Sequence, residues 1–220
     1  SEFLSKMESS INYVEGSVGA RVQPVAHASY DAWIKAYRPN ENSANTTMTY
    51  YTRGSIIASF LDVKIIRNTN GEKCLDHFLQ HIYEKFYAKA GRGFTSEEFK
   101  RELESFTGEN LDNFYADYID GTAIPSYAEL FDGMGVQVTD VTSTKPDFGA
   151  SLRSSGGKAI VSRIRSNSAA EDAGLSVNDE IIGCNGYRVS KSDIEGLMKS
   201  LNEGDELELL IARDEILFSV

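Results

Sequence analysis

Apolar positions recur at helical spacing through the first half of the chain and alternate along short stretches through the second. Phe3, Leu4, Met7, Ile11 and Val14 fall on one face of an opening helix. Gly16 and Gly19 interrupt that pattern. Ser29 is placed to cap a short helix carrying Trp33, Ile34 and Tyr37, which should stop at Pro39. The polar run 40–47, rich in Asn, Ser and Thr, reads as a loop. From Tyr50 to about Arg67 the pattern is densely apolar, with Ile56, Ile57, Phe60, Leu61, Val63, Ile65 and Ile66. A helix apolar on most sides belongs at the centre of a bundle. The next helix carries Leu75, Phe78, Leu79, Ile82 and Phe86. Thr95 followed by Glu98 is a capping-box signature for a further helix with Phe99 and Leu103. Asn110 caps another, with Leu111, Phe114, Tyr115 and Tyr118, and Pro125 closes the run.

Beyond residues 131–135 the period changes. Val136 and Val138 alternate, as do Ile160, Ser162 and Ile164. Residues 179–184 form a short apolar strand before the turn Asn185-Gly186. Residues 190–201 read as a helix with Ile194, Leu197, Met198 and Leu201 inward. Residues 206–212 and 215–220 read as a closing hairpin about Arg213-Asp214.

Composition narrows the function classes. The formal net charge is -11, and an acidic chain repels phosphate backbones and anionic lipid, which argues against nucleic-acid and membrane-surface partners. No run of about 18 apolar residues occurs, so no membrane span is expected. The first ten residues are polar and lack a basic region followed by an apolar one, so they do not read as a signal peptide. Cys74 and Cys184 lie far apart among apolar residues and read as two buried thiols, which leaves the compartment, cytoplasmic or periplasmic, open.

The run 168–179, Ser-Ala-Ala-Glu-Asp-Ala-Gly-Leu-Ser-Val-Asn-Asp, followed by Glu180-Ile181-Ile182-Gly183-Cys184-Asn185-Gly186, resembles the central signature of bacterial PDZ domains. Asn178 stands where that family usually has Gly, and Asn tolerates a left-handed backbone. The resemblance implies an extended peptide, or a protein C-terminus, added to a sheet edge. It places the carboxylate-binding loop at Phe148, Gly149, Ala150, Ser151 and Leu152, with Ile194 and Leu197 completing an apolar pocket. The plainer reading is that these apolar side chains fill the domain's own core.

The first half carries a second likeness. Gly19-Ala20-Arg21-Val22-Gln23, then Ala28-Ser29-Tyr30-Asp31-Ala32-Trp33-Ile34, Asn45, Tyr50-Tyr51-Thr52-Arg53-Gly54 and Leu61-Asp62 resemble the C-terminal part of the catalytic region of the glycyl aminopeptidases, which are gluzincin zinc metallopeptidases. The PDZ domain that follows fits the same family. The resemblance implies a multidomain α and β architecture. Residues 1–130 would be an all-α helical bundle, the C-terminal part of the peptidase region. Residues 131–220 would be a PDZ-like small β-barrel, partly open, with two helices. In related enzymes the Tyr of a Tyr-x-Lys-Gly motif supports the oxyanion of the tetrahedral intermediate, which implies that role for Tyr51. Arg53 replaces the Lys, keeping the charge but not the geometry.

The family's zinc motif, His-Glu-x-x-His, is absent. His77-Phe78-Leu79-Gln80-His81 has the spacing but lacks the general-base Glu, and it reads as a helix face. His27 has no ligand partner in sequence. Glu97, Glu98 and Glu102 read as a solvated helix face. The expectation is therefore a piece of a zinc aminopeptidase. No cofactor is expected in this chain; zinc and an N-terminal catalytic half would belong to the full-length parent. The piece alone is expected to be inactive, and exposed helical surface would invite self-association. The rival expectation is a non-catalytic PDZ scaffold.

Overall fold

The computed structural model describes residues 2–141 and 146–220. It divides into two compact units. The first comprises Ser1–Tyr37 with Thr47–Thr139, and the second Arg38–Thr46 with Asp140–Val220.

The first unit is helical. Helix α1 spans Glu2–Glu15, and a short 3-10 turn follows at Val18–Arg21. Helix α2 spans Val25–Tyr30, and α3, Ser43–Thr46, falls in the segment that belongs to the second unit. Helix α4, Tyr50–Asn68, buries Ile56, Ile57, Phe60, Leu61, Val63 and Ile65 and packs against α1 and α2. It also packs against α5, Leu75–Ile82; α6, Ser96–Thr107; and α8, Tyr127–Phe131. Between the last two lies the one-turn α7, Asp112–Phe114. The dense apolar run thus forms the centre of the bundle, as its pattern requires. Aromatic rings fill the space around it. Phe60 meets the edge of Tyr118 at 5.7 Å, and Phe78 meets the edge of Phe99 at 5.2 Å.

Local chemistry sets the ends of α6. Thr95 Oγ1 accepts from the Glu98 amide, and the Glu98 carboxylate accepts from the Thr95 amide at 2.9 Å. Gly108 ends the helix in the left-handed conformation, φ +70°. Two helices end in wide π turns, Tyr83–Lys89 after α5 and Tyr115–Ile119 after α7, which periodicity alone does not announce. The expected helix over Trp33 to Tyr37 is not formed. Helix α2 ends at Tyr30, and residues 31–36 are turns, so Ser29 lies inside a helix instead of capping one. The alternation at Val136 and Val138 makes no strand.

The second unit is a sheet with, besides α3, two short helices among its described residues. Its strands are β1, Ala150–Ser155; β2, Lys158–Ile164; β3, Glu180–Cys184; β4, Tyr187–Arg188; β5, Leu209–Arg213; and β6, Ile216–Ser219. All pairings are antiparallel, in the order β1-β2-β3-β5-β6, with β4 on β3. The barrel is not closed: among the described residues the strand path stays open, with β1 and β6 at its ends. Helices α9, Ala169–Asp172, and α10, Lys191–Met198, complete the unit, and α10 packs on β1 and β2. Asn178 has φ +76°, the left-handed backbone expected of it. The next residue, Asp179, is fully buried. It accepts from Arg213 Nε at 2.7 Å and Nη2 at 2.8 Å, and from the Ser176 amide at 2.7 Å. A buried carboxylate needs such partners, and these tie the loop before β3 to β5.

Candidate functional site

Tyr51 stands in the first turn of α4 with 65% of its surface exposed. Its ring lies 4.2 Å from that of Tyr50, centroid to centroid, at an angle of 30°. The Tyr50 hydroxyl lies 3.4 Å from the Tyr37 hydroxyl. Hydrogen bonding from Tyr50, and next from Tyr37, holds the Tyr51 hydroxyl below the usual tyrosine range. The same contacts, led by the bond to Tyr37, push Tyr50 the other way. The result is one exposed phenol made more acidic by two neighbours.

Two residues beyond, Arg53 turns inward. Only 2% of it is exposed. Nη1 donates to the carbonyls of Ala20 at 2.6 Å and Gln23 at 3.1 Å. Nη2 donates to those of Gly121 at 3.2 Å and Ala123 at 3.1 Å. Burial pulls its pKa below the usual arginine range. The planar fork therefore ties together the turn after α1 and the segment before α8, and it explains why Arg is accommodated at this position. Nearby, Gly19 is needed for contact: a Cβ there would lie 2.0 Å from the Thr47 carbonyl oxygen.

The histidines do not gather. His81 Nε2 lies 3.0 Å from Glu102, which also pairs with Lys85. His77 Nδ1 accepts from the Cys74 amide at 3.1 Å. Among the described residues no three His, Cys, Asp or Glu side chains come together to hold a metal ion, so a zinc ion does not fit this chain's own donors. Two readings of side chains are corrected. Cys184 is buried, and burial pushes its thiol up, but Cys74 is only partly buried and its Sγ lies 3.4 Å from His77 Nδ1. Glu98 and Glu102 are not simply solvated: Glu98 is held by Arg92 at 2.7 Å and Glu102 by the pair just named.

In the second unit, Phe148, Ala150, Leu152 and Leu197 are partly buried and pack on one core that contains Ile194. Ile194 itself is only 2% exposed, so it supports the others from beneath. Ser151 is exposed. Gly149 has φ +86°, and a Cβ there would lie 2.2 Å from Ser168 Cβ. Both needs, a left-handed backbone and close approach, exclude other residues. The carbonyls of Phe148 and Gly149 accept from the amides of Ala170 and Arg165, each at 2.8 Å. The Gly149 amide donates to Asp147 Oδ1 at 2.9 Å, and Asp147 Oδ2 pairs with Arg165 Nη1 at 2.7 Å. The Asp-x-Gly spacing is a sequence signal for such a turn; Arg165 carries no comparable signal.

Family comparison agrees with both halves. Residues 1–57 match the M61 glycyl aminopeptidase family, and residues 132–218 match the PDZ domain. The chain is similar to the C-terminal part of an M61 glycyl aminopeptidase. The likeness read from the sequence is thus borne out. A crystal structure of an aminopeptidase N family protein from Idiomarina loihiensis has the same fold, with a TM-score of 0.83 at 22% identity. The match covers 96% of this chain and 38% of that one, so the present chain spans well under half the length of its structural relative. No curated protein matches the chain in sequence.

Proposed function

We propose that this chain is the C-terminal part of a zinc-dependent aminopeptidase. Residues 1–130 would form one wall of its active site, and residues 131–220 a peptide-binding PDZ module. The observation that carries the reading is the match of residues 1–57 to the M61 glycyl aminopeptidase family, with Tyr51 exposed in the first turn of α4 inside that stretch. An acidified phenol is a stronger hydrogen-bond donor, and an exposed one is free to meet a peptide carbonyl. Donation to that oxygen strengthens as it becomes an oxyanion, which favours the transition state over the ground state. Arg53 positions the start of α4 from within the core. The zinc and the general base belong, in this proposal, to the upstream part, and the isolated chain hydrolyses nothing.

Tyr30, Trp33 and Ile34 are highly exposed. Such a surface suits a cover, supplied by the upstream part in the parent and by a second copy in isolation. In the second unit, β1 ends the strand order and lies beside α10, the arrangement in which an extended peptide adds a strand.

The test is Tyr51→Phe in the zinc-containing parent. Loss of one oxyanion donor should lower kcat by roughly 100-fold or more, with KM and thermal midpoint nearly unchanged. Undiminished turnover removes Tyr51 from the chemistry. Hydrolysis of glycyl or alanyl substrates by the isolated chain would contradict the division of labour.

A further inference from the structure

The loop that should receive a peptide's terminal carboxylate already holds one. The carbonyls of Phe148 and Gly149 point into the unit, where Ala170 and Arg165 donate to them. The Gly149 amide is also taken: it donates to Asp147 Oδ1 at 2.9 Å. The second oxygen of Asp147 pairs with Arg165 at 2.7 Å, so this cation is also engaged. A terminal carboxylate arriving at Gly149 would meet a like charge and a donor already in use.

Among the described residues no strand pairs with the other edge of β1. Ala150 is opposite Ile164, and the Arg165 amide donates to the Gly149 carbonyl. That register makes Ala150 and Ile164 a non-hydrogen-bonded pair, which directs the amide and carbonyl of Ala150 away from β2. On the far side of β2, the Ile164 carbonyl accepts from Asn45 Nδ2 at 2.7 Å. The edge of β1 thus presents backbone groups for strand addition, an interaction that needs no chain end.

We propose that the second unit takes an extended internal peptide segment and discriminates against free C-termini, with Asp147 as the specificity-determining residue. The proposal rests on the peptide-binding reading above and deepens it. Asp147 plays the part of the ligand's carboxylate, and Arg165 keeps it there. A bound segment would pair with β1, with apolar side chains towards Phe148, Leu152 and Leu197, and its chain would continue past the loop.

The test uses the full chain and two random peptide libraries. One displays each sequence with a free C-terminus, and the other displays it flanked on both sides. Wild-type protein should enrich the flanked library, and amidation of any selected peptide that ends near the loop should leave its affinity within about twofold. Asp147→Ala should shift selection towards free C-termini by about tenfold. Asp147→Asn, which keeps the acceptor but removes the charge, should fall between. Wild-type protein that requires a free C-terminus, with amidation weakening binding tenfold or more, overturns the proposal. Enrichment from neither library, by any of the three proteins, overturns the peptide-binding reading and this proposal with it. The amide spectrum separates the two failures, since the Gly149 proton reports on Asp147 without a ligand. It should move upfield in Asp147→Ala, and an unmoved resonance defeats the self-occupied loop alone.

Discussion

Asn45 Nδ2 donates to the Ile164 carbonyl at 2.7 Å, and Asn45 Oδ1 accepts from the Ser166 amide at 3.1 Å. A side-chain amide here does what a neighbouring strand would do, giving a donor to one backbone group and an acceptor to the next. Asn45 is only 8% exposed, so neither bond is easily replaced by water. These bonds explain why Arg38–Thr46, far from β2 in sequence, belongs to the sheet unit.

Replacing Asn45 with Ala should leave the Ile164 carbonyl and the Ser166 amide without these partners. The expected cost to the sheet unit is about 1–3 kcal/mol, read by urea denaturation. Segment 38–46 should also be released, and a glutamyl endopeptidase should cleave after Glu41 sooner than in wild type. Unchanged cleavage would mean that the segment is held by other contacts.

Much of the fold was legible because its signals are local. The dense apolar run of α4, the Thr95 and Glu98 capping box, and the Asn185-Gly186 turn each follow from a few adjacent residues. The same holds for Asn178, whose left-handed backbone was expected from its type. What was not legible depends on distant partners. Trp33, Ile34 and Tyr37 have helical spacing, yet they are exposed, and the chain turns at Asp31 instead. Nothing at position 45 announces Ile164. The acidity of Tyr51 draws first on Tyr50, its neighbour in sequence, and second on Tyr37, which only the folded chain brings near. Arg53 reads in sequence as a replacement for the motif's Lys, but its environment is four inward carbonyls that sequence spacing cannot reveal.

Arg53 provides a stability test of that environment. Arg53→Met removes the donors from the carbonyls of Ala20, Gln23, Gly121 and Ala123 at once. Met packs in the space, but four acceptors lose a charged partner, and the expected loss is about 3 kcal/mol or more. Arg53→Lys keeps the charge and loses the fork, so it should fall between wild type and Met. Urea unfolding followed by far-ultraviolet circular dichroism measures both. A Lys variant as stable as wild type would show that charge alone suffices.

Acid should weaken the start of α6 in a defined window. The Arg92 guanidinium, followed by the Thr95 amide, holds the Glu98 carboxyl down to about 2, from an ordinary value of 4.5. A carboxyl depressed in the folded state stabilises it fully above the unfolded value and loses that contribution as pH falls through the folded value. The window is therefore pH 4.5 down to about 2. Glu98→Gln retains a side chain suited to the capping box and removes only the charge. The gap in thermal midpoint between the two proteins should be widest above pH 5 and close by about pH 2. A gap that ignores pH would assign Glu98 no electrostatic role.

Tyr50 offers a test of the candidate site that needs no substrate. Its hydroxyl is the leading cause of the lowered Tyr51 pKa, with Tyr37 second. Tyr50→Phe removes the larger donor and keeps the ring that stacks on Tyr51. The phenolate of Tyr51 then loses its best partner, so its ionisation should move up towards the ordinary tyrosine value of about 10. Tyr37→Phe should move it less. Difference absorbance of tyrosinate across alkaline pH reads both, with Tyr51→Phe identifying the step that belongs to Tyr51. If the earliest step survives Tyr50→Phe unmoved, Tyr51 is not the acidified phenol, and the case for it as an oxyanion donor loses its physical basis. If the step moves as expected, the parent enzyme carrying Tyr50→Phe should lose part of its turnover through a hydroxyl that never meets substrate.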